Sequence, residues 1–118
     1  MSEGQPSLGH IEVSPVAIAS IAHEAVLNCY GVVGTATKDL ATGIANVLSR
    51  DSKRGIDVRI EDKRIIIDVY VIIEYGTRIA SVARSVMNVV KFSVERALGL
   101  PVAEVNVHVE GLRVSDTD

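Results

Sequence analysis

Few residues in this chain combine a reactive side chain with a spacing that could do chemistry. His108 and Glu110 stand two apart, and His10 and Glu12 repeat that spacing near the start. Residues two apart on a strand share one face. If the two strands were neighbours, four nitrogen and oxygen ligands could converge on one divalent metal. The same alternation arises whenever polar side chains fill the solvent face of a half-buried strand, and that is the favoured reading. No metal or other cofactor is expected.

Cys29 is the only thiol. It falls on an apolar helical stripe, where it reads as a small hydrophobe and not as an activated thiolate. His23 and Glu24 are adjacent, and adjacent residues on a helix do not face each other, so they make no dyad. Asp68 interrupts the most apolar segment of the chain. It could be a buried acid with its own role, but pairing across a sheet with Arg59 or a lysine of a neighbouring strand is favoured. No Walker loop, G-x-S-x-G elbow or G-x-G-x-x-G stretch occurs. With no nucleophile beside a base, an enzyme is not expected.

Gly31-Val32-Val33-Gly34 has the form of the G-x-x-G loop with which KH domains clamp a nucleic-acid backbone. Its two middle residues are valines and the chain's net charge is -3, so a helix end followed by a connector is favoured over RNA binding. Six of the twelve basic side chains, Arg50, Lys53, Arg54, Arg59, Lys63 and Arg64, lie within residues 50–64 against four acids. That excess could touch anionic lipid or an acidic partner, although a solvated turn accounts for it equally well.

The elements that would position these groups follow from periodicity. Residues 10–13 alternate polar and apolar, which predicts a first strand. Ser14-Pro15 supplies an N-cap and a first-turn proline. Ile18, Ile21, Ala22, Ala25, Val26 and Cys29 then trace one helical stripe that stops at Gly31. Residues 32–37 read as a connection or short extended piece. Leu40, Ile44, Val47 and Leu48 suggest a short second helix, and residues 50–55 a charged turn. Ile56, Val58 and Ile60 alternate with polar residues, and an Asp62-Lys63 turn leads into residues 65–75, which predicts a hairpin. Its second arm is apolar on both faces, so it should be the central strand. Ile79, Val82, Ala83, Val86, Val89, Val90, Ala97 and Leu98 define the longest helix, closed by Gly99 and Pro101. Val105, Val107 and Val109 alternate in a last, half-exposed strand.

The predicted order is strand, helix, short helix, strand, strand, helix, strand. It implies an α+β two-layer sandwich with a four-stranded sheet and helices on one face, ferredoxin-like or of related topology. Residues 10–114 would form the single domain, 1–9 a loose lead and 115–118 a polar tail. At 118 residues there is room for one core. Aromatic residues make up 3% of the chain while valine and isoleucine number nineteen and twelve, so β-branched side chains fill that core. A single cysteine fits a reducing, cytoplasmic setting, and no signal peptide or apolar run long enough to span a membrane is seen. The acidic balance argues against a nucleic-acid partner.

Ile66, Tyr70 and Ile72 fall on the second face of the central strand, and Phe92 lies about 140° from the centre of the long helix's apolar stripe at roughly 100° per residue. Apolar surface that a core does not claim marks protein contacts, so a homo-oligomer is expected with these four side chains contributing.

Several segments also resemble one bacterial family. Ile11-Glu12-Val13-Ser14-Pro15 before an alanine-rich helix, Tyr30-Gly31-Val32-Val33-Gly34 after it, the D-x-Y-V-x-x-E-Y-G stretch from Asp68 to Gly76, and the terminal V-N-V-H-V-x-G from Val105 to Gly111 resemble the alkaline-shock (general-stress) proteins of the envelope stress response. The resemblance spans nearly the whole chain. It implies a small, non-enzymatic cytoplasmic protein of cell-envelope homeostasis that self-associates, and that in some members reaches the inner face of the membrane through a separate anchored partner. A role in fatty-acid or lipid metabolism is a second implication. The family supplies no catalytic residues to carry over, and this chain lacks the extended charged tails of its longer members.

Overall fold

The computed structural model describes residues 8–9, 12–36 and 55–114. Helix α1 (Pro15–Leu27) begins at the predicted cap: the Ser14 hydroxyl accepts a hydrogen bond from the Ala17 N–H at 3.1 Å, and Pro15 occupies the first turn. Strands β1 (Val32–Thr35), β2 (Ile56–Glu61) and β3 (Arg64–Glu74) follow, then helix α2 (Ile79–Leu98) and strand β4 (Glu104–Arg113). The β2–β3 hairpin turns on Asp62 and Lys63, whose φ values of 51° and 65° are the left-handed values a two-residue type I′ turn demands at both positions. Gly99 ends α2 at φ 73°, with its N–H on the Glu95 carbonyl.

Strand β3 is the centre of the sheet. Along one edge β2 pairs with it antiparallel, from Ile56 opposite Val69 to Glu61 opposite Arg64. Further along that edge β1 also pairs antiparallel, from Val32 opposite Ile73 to Thr35 opposite Val71. Tyr70 spans the joint, its carbonyl accepting from Ala36 at 2.9 Å and its N–H donating to Gly55 at 2.8 Å. Strand β4 lies along the other edge, parallel to β3, from Ile66 opposite Glu104 to Glu74 opposite Arg113. A parallel neighbour needs a crossover, and α2 provides it.

The core forms on one face. Ile65, Ile67, Val69, Val71 and Ile73 of β3 pack with Ile18, Ala22 and Val26 of α1 and with Val82, Val86, Val90 and Val94 of α2. Burying each of those valines contributes about 1.5–3 kcal/mol. The result is the expected α+β two-layer arrangement, with both described helices on one face of a mixed sheet.

The path departs from the predicted order at its start. Glu12 and Val13 take no strand conformation, and His10 and Ile11 lie outside the described residues. The first described strand comes after α1, at Val32–Thr35, where a connection or short extended piece was expected. It forms there because the antiparallel edge of β3 beyond Tyr70 leaves a ladder that β2 does not reach. Direct parallel pairing of β3 with β4 makes the topology a relative of the ferredoxin-like split, not that arrangement itself. On α2, Ile79 is 41% exposed while Val94 is fully buried. Burial follows the every-fourth-residue row from Val82 to Val94, a ridge that slants across the helix axis. The predicted short helix and the residues 50–54 of the charged turn lie outside the described residues.

One clasp had no sequence signal. The Glu95 carboxylate accepts from the Val102 N–H at 2.8 Å, and the Lys91 ammonium donates to the Val102 carbonyl at 3.1 Å. Together they hold buried Val102 under the turn from α2 into β4.

Candidate functional site on the open sheet face

Because side chains alternate along a strand, the face of β3 turned away from the helices carries Ile66, Asp68, Tyr70 and Ile72. Parallel pairing sets Glu104, Asn106 and His108 of β4 beside Ile66, Asp68 and Tyr70. The hairpin sets Arg59 beside Ile66 and Asp57 beside Asp68.

Asp68 is the hub. Its Oδ2 accepts from Arg59 Nη2 at 3.1 Å, and its Oδ1 accepts from Asn106 Nδ2 at 3.2 Å and lies 3.1 Å from His108 Nε2. Arg59 also reaches Glu61 at 3.1 Å, and Arg64 approaches Glu104 at 3.7 Å. The Tyr70 ring stacks on the His108 imidazole at 4.5 Å between centroids and 12° between planes. Burial alone would raise the Asp68 pKa; hydrogen bonds from His108, Asn106 and Arg59, with the guanidinium charge, outweigh it and hold the carboxyl below its ordinary value. A carboxylate so engaged keeps its charge and has its lone pairs occupied. It ties three strands together and is poorly placed to move a proton in a reaction.

The predicted pairing of Asp68 with Arg59 is therefore present. Its Asn106 and His108 partners were missed, since strand register across a crossover is not written in local alternation. His108, a candidate metal ligand from the sequence, turns to Asp68. Glu110 is exposed near the irregularity in β4, Glu12 stands ahead of α1 and not on a strand beside β4, and His10 lies outside the described residues. Among the described residues no group of three or more His, Cys, Asp or Glu side chains is placed to hold a metal ion.

Of the four predicted contact residues, the fold brings three together. Ile66 is buried outside the main core cluster, and Tyr70 and Ile72 are half-buried on the same face. Phe92 is 61% exposed on α2, with the Arg96 guanidinium 5.8 Å from its ring centroid. It belongs to the helix layer, on the other side of the sheet from Tyr70. The Cys29 thiol is buried, lies 3.5 Å from the Ala25 carbonyl, and has its pKa pushed up by that burial. Gly31 backs onto Val82, whose Cγ2 stands 2.8 Å from where a Cβ would be, and Val32 to Gly34 run in β1. That segment is a paired strand, so the loop a KH clamp would need is not formed there. Of the basic cluster, Lys63 sits at the hairpin tip and Arg64 pairs with Glu104, while Arg50, Lys53 and Arg54 lie outside the described residues.

A cleft of about 390 Å³ between the end of α1 and the first turns of α2 is lined by Tyr30, Thr77, Arg78, Ser81 and Ser85. It gathers hydroxyls and one cation but no carboxylate or imidazole. Sequence reasoning did not find it, because its walls come from two distant segments.

Among the described residues, the site is a sheet face of a two-layer α+β fold on which an ion network centred on Asp68 ties three strands together. The chain belongs to the alkaline shock protein 23 family, of cell envelope-related function, which it matches over residues 3–114. It is 41% identical over 110 residues to the uncharacterized protein YloU of Bacillus subtilis (strain 168), covering 92% of each chain. It is also 33% identical over 108 residues to the uncharacterized protein Spy1614 of Streptococcus pyogenes serotype M6, covering 90% of this chain and 89% of that one. The uncharacterized Bacillus subtilis protein YqhY is 29% identical over 114 residues, covering 96% of this chain and 84% of its own. No solved structure matches the chain. No helix among the described residues is long and apolar enough to cross a membrane.

Proposed function

We propose that this chain is a non-enzymatic module of the envelope stress response that acts through self-association and contacts with other proteins. The observation that carries this reading is the second face of β3, where Tyr70 and Ile72 stand half-buried around a polar network that is already satisfied within the chain. Phe92 adds a second apolar point on the helix layer. Apolar surface of this kind favours a protein partner, and the engagement of Asp68 and burial of Cys29 leave the best candidate groups without a chemical task. The module works in the cytoplasm and reaches the inner face of the membrane through an anchored partner.

Complementation tests it. In a host lacking its own copy, the native chain and Cys29→Ser are expected to restore tolerance to alkaline and envelope stress. A Tyr70→Ser, Phe92→Ser double variant, shown by circular dichroism to be folded, is expected to fail. Full restoration by the double variant, or loss of function in Cys29→Ser with the fold intact, would overturn the reading.

A further inference from the structure

We propose that β4 is the joint between two copies of this chain, paired antiparallel about Asn106. The proposal rests on the reading above that copies associate, and it names the surface that joins them.

Strand β4 runs ten residues, and β3 occupies only one of its edges. Among the described residues no strand pairs with the other. An unpaired edge of this length presents backbone N–H and C=O groups as a template for another strand, and proteins that stay single guard such edges with lysine, proline, a bulge or a short strand. Residues 104–109 contain neither lysine nor proline, and the irregularity in β4 falls beyond them, where the register to β3 shifts after Val71. The opposite edge of the sheet is different, being divided between β1 and β2 at Tyr70.

The core also reaches this edge and stops. Val105 and Val107 pack against the core cluster yet remain only partly buried, and Val109 is 36% exposed. A strand from a second copy would carry the same valines on the same face and continue the layer.

Charge selects the register. With Asn106 opposite Asn106, Val105 of each copy faces Val107 of the other, and Glu104 of each faces His108 of the other. Moving the centre to Val107 sets Glu104 opposite Glu110, and like charges directly opposite destabilise a strand pair. Within each copy Glu104 is already engaged by Arg64 at 3.7 Å and Asn106 at 3.4 Å, and His108 is held by Asp68 and stacked on Tyr70, so the side chains that flank the joint are ordered before a second copy arrives. The joint uses the same patch on both copies and closes as a dimer. It also merges the two open sheet faces, with their Tyr70 and Ile72 side chains, into one surface twice as wide.

Directly opposed residues in an antiparallel pair have Cα atoms about 4.5–5.5 Å apart, within the span of a disulfide. In a Cys29→Ser background, mild oxidation of Asn106→Cys is expected to give a covalent dimer, while Phe92→Cys and Glu61→Cys stay monomeric on a denaturing gel. Glu104→Lys, exposed and clear of the core, is expected to weaken the native dimer at least about tenfold by guarding the edge. If the native chain associates but Asn106→Cys does not cross-link, or Glu104→Lys leaves the dimer unchanged, the joint is not β4 and the associative reading survives. A native chain that is monomeric throughout overturns both.

Discussion

Asp68 keeps a charge where only 13% of its side chain is exposed, and it does so because three neighbours donate to it. Hydrogen bonds to a charged group contribute about 1.5–3 kcal/mol, so Asp68→Asn should lower stability at neutral pH by about 1–3 kcal/mol. The sign of the pH dependence follows from the lowered carboxyl pKa. A depressed acid stabilises the fold above its unfolded value, and that stability is lost as pH falls through the folded value. Urea unfolding at a series of pH values should therefore show the native and Asp68→Asn curves converging below about pH 4; a gap that stays constant to pH 2 would contradict the assignment. The oddity of Asp68 and its Arg59 partner were both legible in the sequence, because the hairpin between them is local. Asn106 and His108 come from 38 and 40 residues away. Their spacing showed only that they share a face, so His108 read as part of a solvated strand face, with metal ligation the lesser alternative, and its role as a partner of Asp68 was not visible.

At the scale of elements, the signals that could be read were local ones. The Ser14-Pro15 cap, the Asp62-Lys63 turn and the Gly99 stop each satisfy backbone groups within a few residues, and each sits where expected. Strand β1 has only four residues, Val-Val-Gly-Thr. Its identity as a strand comes from the ladder it completes beside β2, which no local pattern encodes. Gly55 marks that joint. Its φ is 77°, and a Cβ there would stand 2.6 Å from the Ala36 carbonyl oxygen and 2.9 Å from the Thr35 Cβ. Gly55→Ala should cost at least about 2 kcal/mol, since the left-handed backbone alone costs roughly 1–2 kcal/mol for an L-residue. Gly76→Ala, with nothing within 4 Å of its Cβ position, should show the backbone cost alone. Thermal unfolding of the two variants separates the cases, and equal losses would mean that the joint at Tyr70 is looser than described.

Among the described residues, the helices cover one face of the sheet, the other carries Tyr70, Ile72 and the ion network, and Phe92 is exposed on the helix layer. A core of valine and isoleucine explains how 118 residues fold with so few aromatic side chains, and those few sit mostly outside that core. Tyr30, Tyr75 and Phe92 are exposed and Tyr70 is half-buried. Aromatic side chains at the surface support the proposal that copies of this chain associate. Size-exclusion chromatography with in-line light scattering on the full chain, across a hundredfold range of concentration, measures this most directly. The expected mass is a multiple of 12.6 kDa that falls toward the single-chain value only on dilution; a mass of one chain at every concentration would rule association out.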